Sequence, residues 1–242
     1  MQPVNLSNRQ IQILKAVIEE YIETALPVGS ETLDKKFNLG ISPATIRNEM
    51  VKLTTAGFLR QPHTSAGRTP SPKALRYYVS NLLKQKDISV AEEVAVKEKV
   101  WDKRHKLDKL LKEATSVIAQ RTHSLSLTTT EEGDIYYAGT GYILQLPEFY
   151  NLEMTRRLFL LLEEYDYWRK IFLTGEDVAD FKVIVGEELG AEFDSCGMVF
   201  TRFKIPGHGF GSMGVIGSNR LDYGYIIPFL QYMKGLITEI SG

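Results

Sequence analysis

The residues of this 242-residue chain best placed to do chemistry are hydrogen-bond donors in one short run, Ser42-Pro43-Ala44-Thr45-Ile46-Arg47-Asn48-Glu49-Met50. Ser42 is a good N-cap, since its hydroxyl accepts from an amide left unpaired in the first helical turn. Pro43 follows at the first helical position, where its fixed φ suits the helix and its missing N–H costs nothing. At about 100° per residue, Ile46, Met50 and Leu53 share one side of the helix, and Ala44, Arg47, Asn48, Val51 and Lys52 share the other. That outer face suits a DNA major groove. Arg grips guanine bidentately, Asn grips adenine, and small apolar groups meet the thymine methyl. Ser42, Ala44, Thr45, Arg47, Asn48 and Lys52 are therefore candidate DNA contacts. A solvated surface helix has much the same composition, so the helix by itself leaves both readings open.

The next stretch adds a second element. Phe58-Leu59-Arg60-Gln61 reads as a short strand, and Gly57 before it as a helix terminator. The polar loop from His63 to Arg68 is bounded by Pro62 and Pro70, and strand, loop and return form the pattern of a β-wing. Such a wing lays Arg68, His63 and the hydroxyls of Thr64 and Ser65 against phosphate or the minor groove. An exposed loop histidine with no role is an equal reading of His63. Arg68 is the stronger candidate, because Gly67 lets the backbone come close and Arg binds phosphate well. A helix from Pro72 to Lys84 follows, with Leu75, Val79 and Leu82 inward and Lys73, Arg76 and Lys84 adding positive charge. Lys73 and Arg76 complete the candidate DNA-binding set. Tyr77 and Tyr78 read as packing residues.

These residues need a scaffold, and the preceding residues supply one. Ser7-Asn8-Arg9-Gln10 matches a capping box, and Ile11, Leu14, Ile18, Tyr21 and Ile22 then repeat at helical spacing to about Glu23. Pro27-Val28-Gly29 breaks the chain, Ser30 caps a second helix carrying Leu33 and Phe37, and Asn38-Leu39-Gly40 is a turn. Three short helices with a tight turn before the third make a helix-turn-helix. Charge agrees: residues 1–86 hold 12 Lys+Arg against 6 Asp+Glu, or +6, while the whole chain is at −1. A basic half joined to an acidic half suggests a nucleic-acid-binding module attached to something else.

Residues 87–121 read as one long connecting helix. Val90, Val94, Trp101, Leu107, Leu111, Ala114 and Ile118 approximate a heptad seam with Lys97 and Arg104 as polar gaps. A coiled coil and a connector packed on its own C-terminal domain are equal readings. From Thr122 the texture changes. Thr122–Thr130 alternates like a strand, Glu131–Asp134 is a turn, and Ile135–Leu144 reads as a second strand with a glycine break. Leu152–Phe172 is an amphipathic helix with Leu158, Leu161, Leu162, Tyr165 and Trp168 on its inner face. Lys182–Val185, Met198–Phe203 and Ser212–Gly217 are three more strands, and a helix from about Tyr223 to Ile240 closes the chain. The expected class is α+β: a winged helix-turn-helix at 1–86, a linker helix at 87–121 and a regulatory domain at 122–242.

Other chemistry is poorly represented. Gly209-Phe210-Gly211-Ser212-Met213-Gly214 fits G-x-G-x-x-G, but a strand rather than a helix follows, so a hairpin is the better reading. Cys196, His208, Glu187 and Glu188 lack any zinc spacing. No catalytic triad or carboxylate pair stands out, and no catalytic residue, metal or cofactor is expected. One cysteine rules out an internal disulfide and fits a reducing cytoplasm. Met1-Gln2-Pro3-Val4 lacks the basic start of a secretory leader, and no apolar run reaches the roughly 18–20 residues of a membrane helix.

The motifs resemble a known family. Asn8-Arg9-Gln10, Tyr21-Ile22-Glu23-Thr24, Pro27-Val28-Gly29-Ser30, the run from Ser42 to Met50, Pro62–Pro70 and Arg76-Tyr77-Tyr78-Val79 are similar to the heat-inducible transcription repressor HrcA of bacteria. Pro147-Glu148-Phe149, Arg157-Leu158, Leu161-Leu162-Glu163, Ile216-Gly217 and Arg220-Leu221-Asp222-Tyr223 resemble that family's GAF-like domain. The resemblance implies a cytoplasmic homodimeric repressor of chaperone genes that binds an inverted-repeat operator, is assisted by the chaperonin GroEL and is released by heat. It makes the helix after Ser42 the recognition helix and His63–Arg68 the wing. The chain departs from the family in the middle, where Thr122–Thr130 runs almost directly into Tyr136-Tyr137-Ala138-Gly139. An inserted dimerising domain and part of the GAF-like domain are expected to be missing, which leaves the dimerisation mode open. A small-molecule-responsive winged-helix regulator is the alternative function.

Overall fold

Serine hydroxyls open the helices that carry the candidate residues. The computed structural model of the chain describes residues 6–173 and 181–241, with only the backbone of Leu173 and Glu187. The absent leader, expected from residues 1–4, and the Glu187 side chain lie outside this description. Two compact units are resolved, Met1–Leu83 and Lys84–Gly242.

In the first unit, α1 (Asn8–Thr24), α2 (Ser30–Phe37) and α3 (Pro43–Thr55) are followed by a two-stranded antiparallel ribbon and α4 (Pro72–Asn81). The ribbon pairs β1 (Leu59–Arg60) with β2 (Thr69–Pro70). Ser7, Ser42 and Ser71 each accept the amide of the third helical residue, and a proline follows Ser42 and Ser71 at the first helical position. The capping box at Ser7 and Gln10 is complete. Ser30 departs from expectation: Gly29 occupies the cap position, and Ser30 is the buried first residue of α2. Leu14, Val17, Ile18, Leu33, Ile46, Leu53, Phe58 and Leu75 fill the core between the helices.

The second unit is built on a five-stranded antiparallel sheet of order β4-β3-β7-β6-β5. In chain order these are β3 (Leu125–Thr130), β4 (Ile135–Ala138), β5 (Lys182–Val185), β6 (Cys196–Ile205) and β7 (Gly209–Ser218). Two helices, α5 (Val90–Trp101) and α6 (Leu107–Thr122), precede the sheet, and α10 (Tyr223–Ile240) closes the chain. Between β4 and β5 come α7 (Thr140–Ile143), α8 (Leu152–Leu161) and α9 (Tyr165–Leu173). One face of the sheet meets α6 and α10. The other carries Leu125, Leu127, Met198, Phe200 and Ile216 against Leu158, Leu161, Trp168 and Phe172.

Three expected elements are broken, each for a local reason. The single helix over 87–121 is two helices, α5 and α6, packed on one another. Asp102-Lys103-Arg104-His105-Lys106 offers no apolar residue to any seam. Reversal there buries Val96 and Val100 together with Leu110, Leu111 and Ile118, while Val90, Val94 and Trp101 stay exposed. The strand expected over 135–144 ends at Ala138, because Gly139 adopts a φ of 88° and turns the chain into α7. The helix expected over 152–172 splits at Glu163-Glu164. The buried Trp168 indole donates to the Leu161 carbonyl at 2.6 Å, taking the acceptor that a continuous helix would offer to residue 165.

Two separated motifs meet in this unit. Glu148, in the 3-10 turn Pro147–Tyr150, accepts from Arg220 Nε at 2.7 Å, with both side chains largely buried. Burial alone would push the Glu148 carboxyl up, but the Arg220 guanidinium beside it brings the net shift below the ordinary carboxylate value. A carboxyl depressed on folding contributes stability above its unfolded pKa and loses it as pH falls through the folded one. The unfolding temperature should therefore drop with acidification below about pH 4.5. Glu148→Gln should flatten that drop and cost about 1–3 kcal/mol at neutral pH by weakening the charge-assisted bond. Thermal unfolding of both proteins across pH checks this.

Candidate nucleic-acid interface

The interface is built on α3, whose orientation is set by its inner face. Ile46, Met50 and Leu53 are buried, and so is Glu49. Glu49 accepts from Lys52 Nζ at 2.9 Å and from Gln10 Nε2 at 3.1 Å, the second bond reaching across to α1. Lys52 beside it holds the Glu49 carboxyl below its usual range. Sequence reasoning missed this anchor. Its only trace was an acid standing in an otherwise basic and apolar helix.

With α3 held in this way, Ala44, Arg47, Asn48, Val51 and Lys52 are exposed on its outer side. Ser42 is the cap, its hydroxyl 3.0 Å from the hydroxyl of Thr45. The Lys52 ammonium remains largely in solvent despite its ion pair with Glu49. Arg47 and Asn48 thus stand on successive positions of an exposed face, with small side chains beside them.

The loop between β1 and β2 is held by three sets of contacts. Gln61 Nε2 donates to the carbonyls of Thr64 at 2.8 Å and Ala66 at 3.2 Å. The Ala66 amide donates to the His63 carbonyl at 2.9 Å, so the tip is a closed turn. At the base, Val28 and Arg68 exchange both backbone hydrogen bonds at 2.9 Å, joining the loop to the α1–α2 connection. Gly67 makes that junction possible, since a Cβ there would lie 2.4 Å from the Val28 carbonyl oxygen. His63, Thr64 and Ser65 are exposed at the tip. Gln61, which organises the tip, was also missed as a functional residue.

Three of the expected contacts turn inward. Arg68 is half-buried, with its Nε donating to the Thr54 hydroxyl at 3.1 Å and Nη1 reaching the Ala66 carbonyl at 3.4 Å. It ties the loop to the end of α3 before it can meet anything outside. Lys73 Nζ donates to the Ala56 carbonyl at 2.9 Å, at the C-terminal end of α3, and lies 4.3 Å over the Phe58 ring. A cation at a helix C-terminus compensates the exposed carbonyls, so Lys73 acts as a cap. Arg76, half-buried on α4, is likewise engaged within the protein.

The outer face of α3 and the loop enclose an open groove of about 460 Å³, with Arg47, Met50 and Val51 on one wall and Gln61, Thr64, Ser65 and Arg68 on the other. A groove with an arginine on each wall, small side chains and a polar flap can receive a phosphodiester backbone, with Asn48 exposed on the adjoining face of α3. Cys196 is buried beside Met154, its thiol pushed up to about 12 by burial. His208, in the turn between β6 and β7, pairs with Glu132. Among the described residues no group of acids, histidines and cysteine is arranged to hold a metal, and no helix is long and apolar enough to cross a membrane.

A family model described as HrcA protein C terminal domain matches residues 45–227. A protein of Symbiobacterium thermophilum named heat-inducible transcription repressor HrcA is 26% identical over 337 aligned positions, covering 98% of this chain and 99% of that protein. One of the same name from Desulforamulus reducens is 27% identical over 332 positions, covering 96% of each. A third, from Clostridium acetobutylicum, reaches 46% identity over 120 residues, 49% of this chain and 35% of that protein. Alignments of that length against 242 residues mean that the first two relatives carry segments with no counterpart here. A solved structure described as that of a hypothetical protein matches with a TM-score of 0.73 at 19% identity, covering 98% of this chain and 99% of that one, which shows a shared fold. With the family model spanning most of its length and relatives aligned along nearly all of it, this chain belongs to the HrcA family.

Proposed function

We propose that this protein is a sequence-specific repressor of heat-shock genes, with residues 1–86 as a winged helix-turn-helix that reads DNA. In this reading α3 is the recognition helix, with Arg47 and Asn48 on base edges and Ser42, Ala44, Thr45 and Lys52 around them. The loop from His63 to Ser65 is the wing. Arg68 holds the wing and borders the phosphate path, while Lys73 and Arg76 brace the module from α4. The observation that carries the proposal is the exposed Arg47–Asn48 face set across a groove from a tethered polar loop. The name shared by the family's members agrees with it.

The rest of the reading follows from how such modules reach useful affinity. One helix contacts only a few base pairs, so two copies of the chain on an inverted repeat double the contacts and match the protein's two-fold axis. Residues 122–242 then form a shortened GAF-like domain, with 87–121 joining it to the reader. Heat releases repression in the cytoplasm, and the chaperonin GroEL is the partner that restores the DNA-binding form. None of this requires bond-making chemistry.

Arg47→Ala should weaken operator binding by about 1–3 kcal/mol and relax sequence preference at one base pair. A gel-shift series on operator and scrambled DNA reads both effects, and unchanged binding to both would end the recognition-helix reading. Gly67→Ala should act differently. Displacing the loop from Val28 should lower affinity for operator and scrambled DNA by similar factors while leaving the α3 preference intact. The same series measures it, with circular dichroism confirming the fold.

A further inference from the structure

Register across the central strands places three polar side chains where the sheet's apolar face should continue. Leu127, Gly214 and Phe200 lie opposite one another on β3, β7 and β6. That row belongs to the core under α8 and α9. Two residues further along each strand, on the same face, the next row is Thr129, Ser212 and Arg202. Thr129 is 5% exposed and Ser212 6%. Both residues line the cavity above the sheet and offer it their hydroxyl groups.

Above this row is a cavity of about 320 Å³, roofed by α9. Tyr165 fixes the roof by donating to the Thr130 carbonyl at 2.9 Å. Phe172, edge-on to Phe200 at 4.9 Å between centroids, forms the back wall, and Phe210 stands at the mouth. Arg169 and Arg202 both line the cavity. Arg202 lies 5.3 Å over the Phe210 ring and makes a single contact of 3.4 Å with Glu131. Glu131 is also held by the Phe210 amide. Arg169 lies 4.0 Å from Asp166 across the helix surface. Two cations and the Glu131 carboxylate thus line a cavity with aromatic walls.

We propose that this cavity is a binding site for a small aromatic carboxylate. The carboxylate takes the guanidinium donors of Arg202 and Arg169, which match its planar geometry. The ring lies between Phe172 and Phe210, and the Thr129 and Ser212 hydroxyls receive polar substituents at the floor. The volume is at the small end of ligand cavities, so it suits a single-ring compound. The site lies wholly within the C-terminal unit and is independent of the DNA-binding reading.

Benzoate, benzylamine and inorganic phosphate, each titrated into the full chain with saturation-transfer NMR, test the proposal. Benzoate should bind saturably with a dissociation constant in the sub-millimolar range, and benzylamine and phosphate at least tenfold more weakly. Arg169→Gln and Arg202→Gln combined should cost benzoate at least tenfold. Ser212→Val, which fills the floor without removing charge, should weaken it severalfold. Unfolding curves establish that each variant is folded, and Arg169→Gln alone, at an exposed position, serves if the double variant is not. Absence of benzoate binding, equal binding of benzylamine or phosphate, or benzoate binding indifferent to the substitutions would each overturn the site.

Discussion

Two backbone hydrogen bonds between Val28 and Arg68 are the constraint on which the N-terminal unit depends. They convert a polar loop that would otherwise swing free into a fixed flap beside α3. At about 1 kcal/mol net for each bond, the pair favours the tethered loop by a factor on the order of 30. Everything on the loop inherits that fixed base. Because the Arg68 backbone is pinned, its guanidinium reaches Thr54 near the C-terminal end of α3. Gln61 then closes the tip over the carbonyls of Thr64 and Ala66. The groove is the space left between two elements, each tied to α1 or its connection, α3 through Glu49 and Gln10 and the loop through Val28.

Much of this unit was legible in the sequence, and the reason lies in short-range chemistry. Ser7 with Gln10, and Ser42 with Pro43, specify helix starts through contacts three residues long, and Gly57 at a φ of 77° ends α3 as its position suggested. What a cationic side chain would touch was not legible. Lys73 and Arg68 were read as DNA contacts from charge and position. Yet Ala56, 17 residues from Lys73, and Thr54, 14 from Arg68, supply acceptors that only the folded chain brings near. Arg47 and Asn48, by contrast, stay exposed on the outer side of α3.

The C-terminal unit shows the same division at larger scale. Its last helix was placed from Tyr223 to Ile240 by an apolar run starting just after Asp222, whose carboxylate caps it. The 87–121 segment was misread because a heptad count accepts polar gaps, whereas five consecutive polar residues favour a reversal that buries both apolar faces. The pairing of Glu148 with Arg220 could not be read from spacing, since 72 residues separate them. Each nonetheless sits in a short motif on which the family resemblance rests, so one ion pair explains why two distant motifs occur together.

The glycine-rich stretch of β7 resolves through packing. In the register of β6 and β7, Gly214 is opposite Phe200 and Gly211 opposite Phe203. A Cβ at Gly214 would lie 2.6 Å from the Cβ of Phe200, and one at Gly211 2.5 Å from the Phe203 ring. Successive residues of a strand alternate faces, so the two phenylalanines fold over their glycines on opposite sides of the sheet. The G-x-G-x-x-G spacing therefore records two aromatic side chains needing room, and no phosphate enters the account. Gly67 does for the loop what Gly214 does for the sheet, since in both places a side chain would collide with the neighbouring segment. In each unit the feature of interest begins where that close approach ends: the groove beside Arg68, and the polar row beyond Phe200.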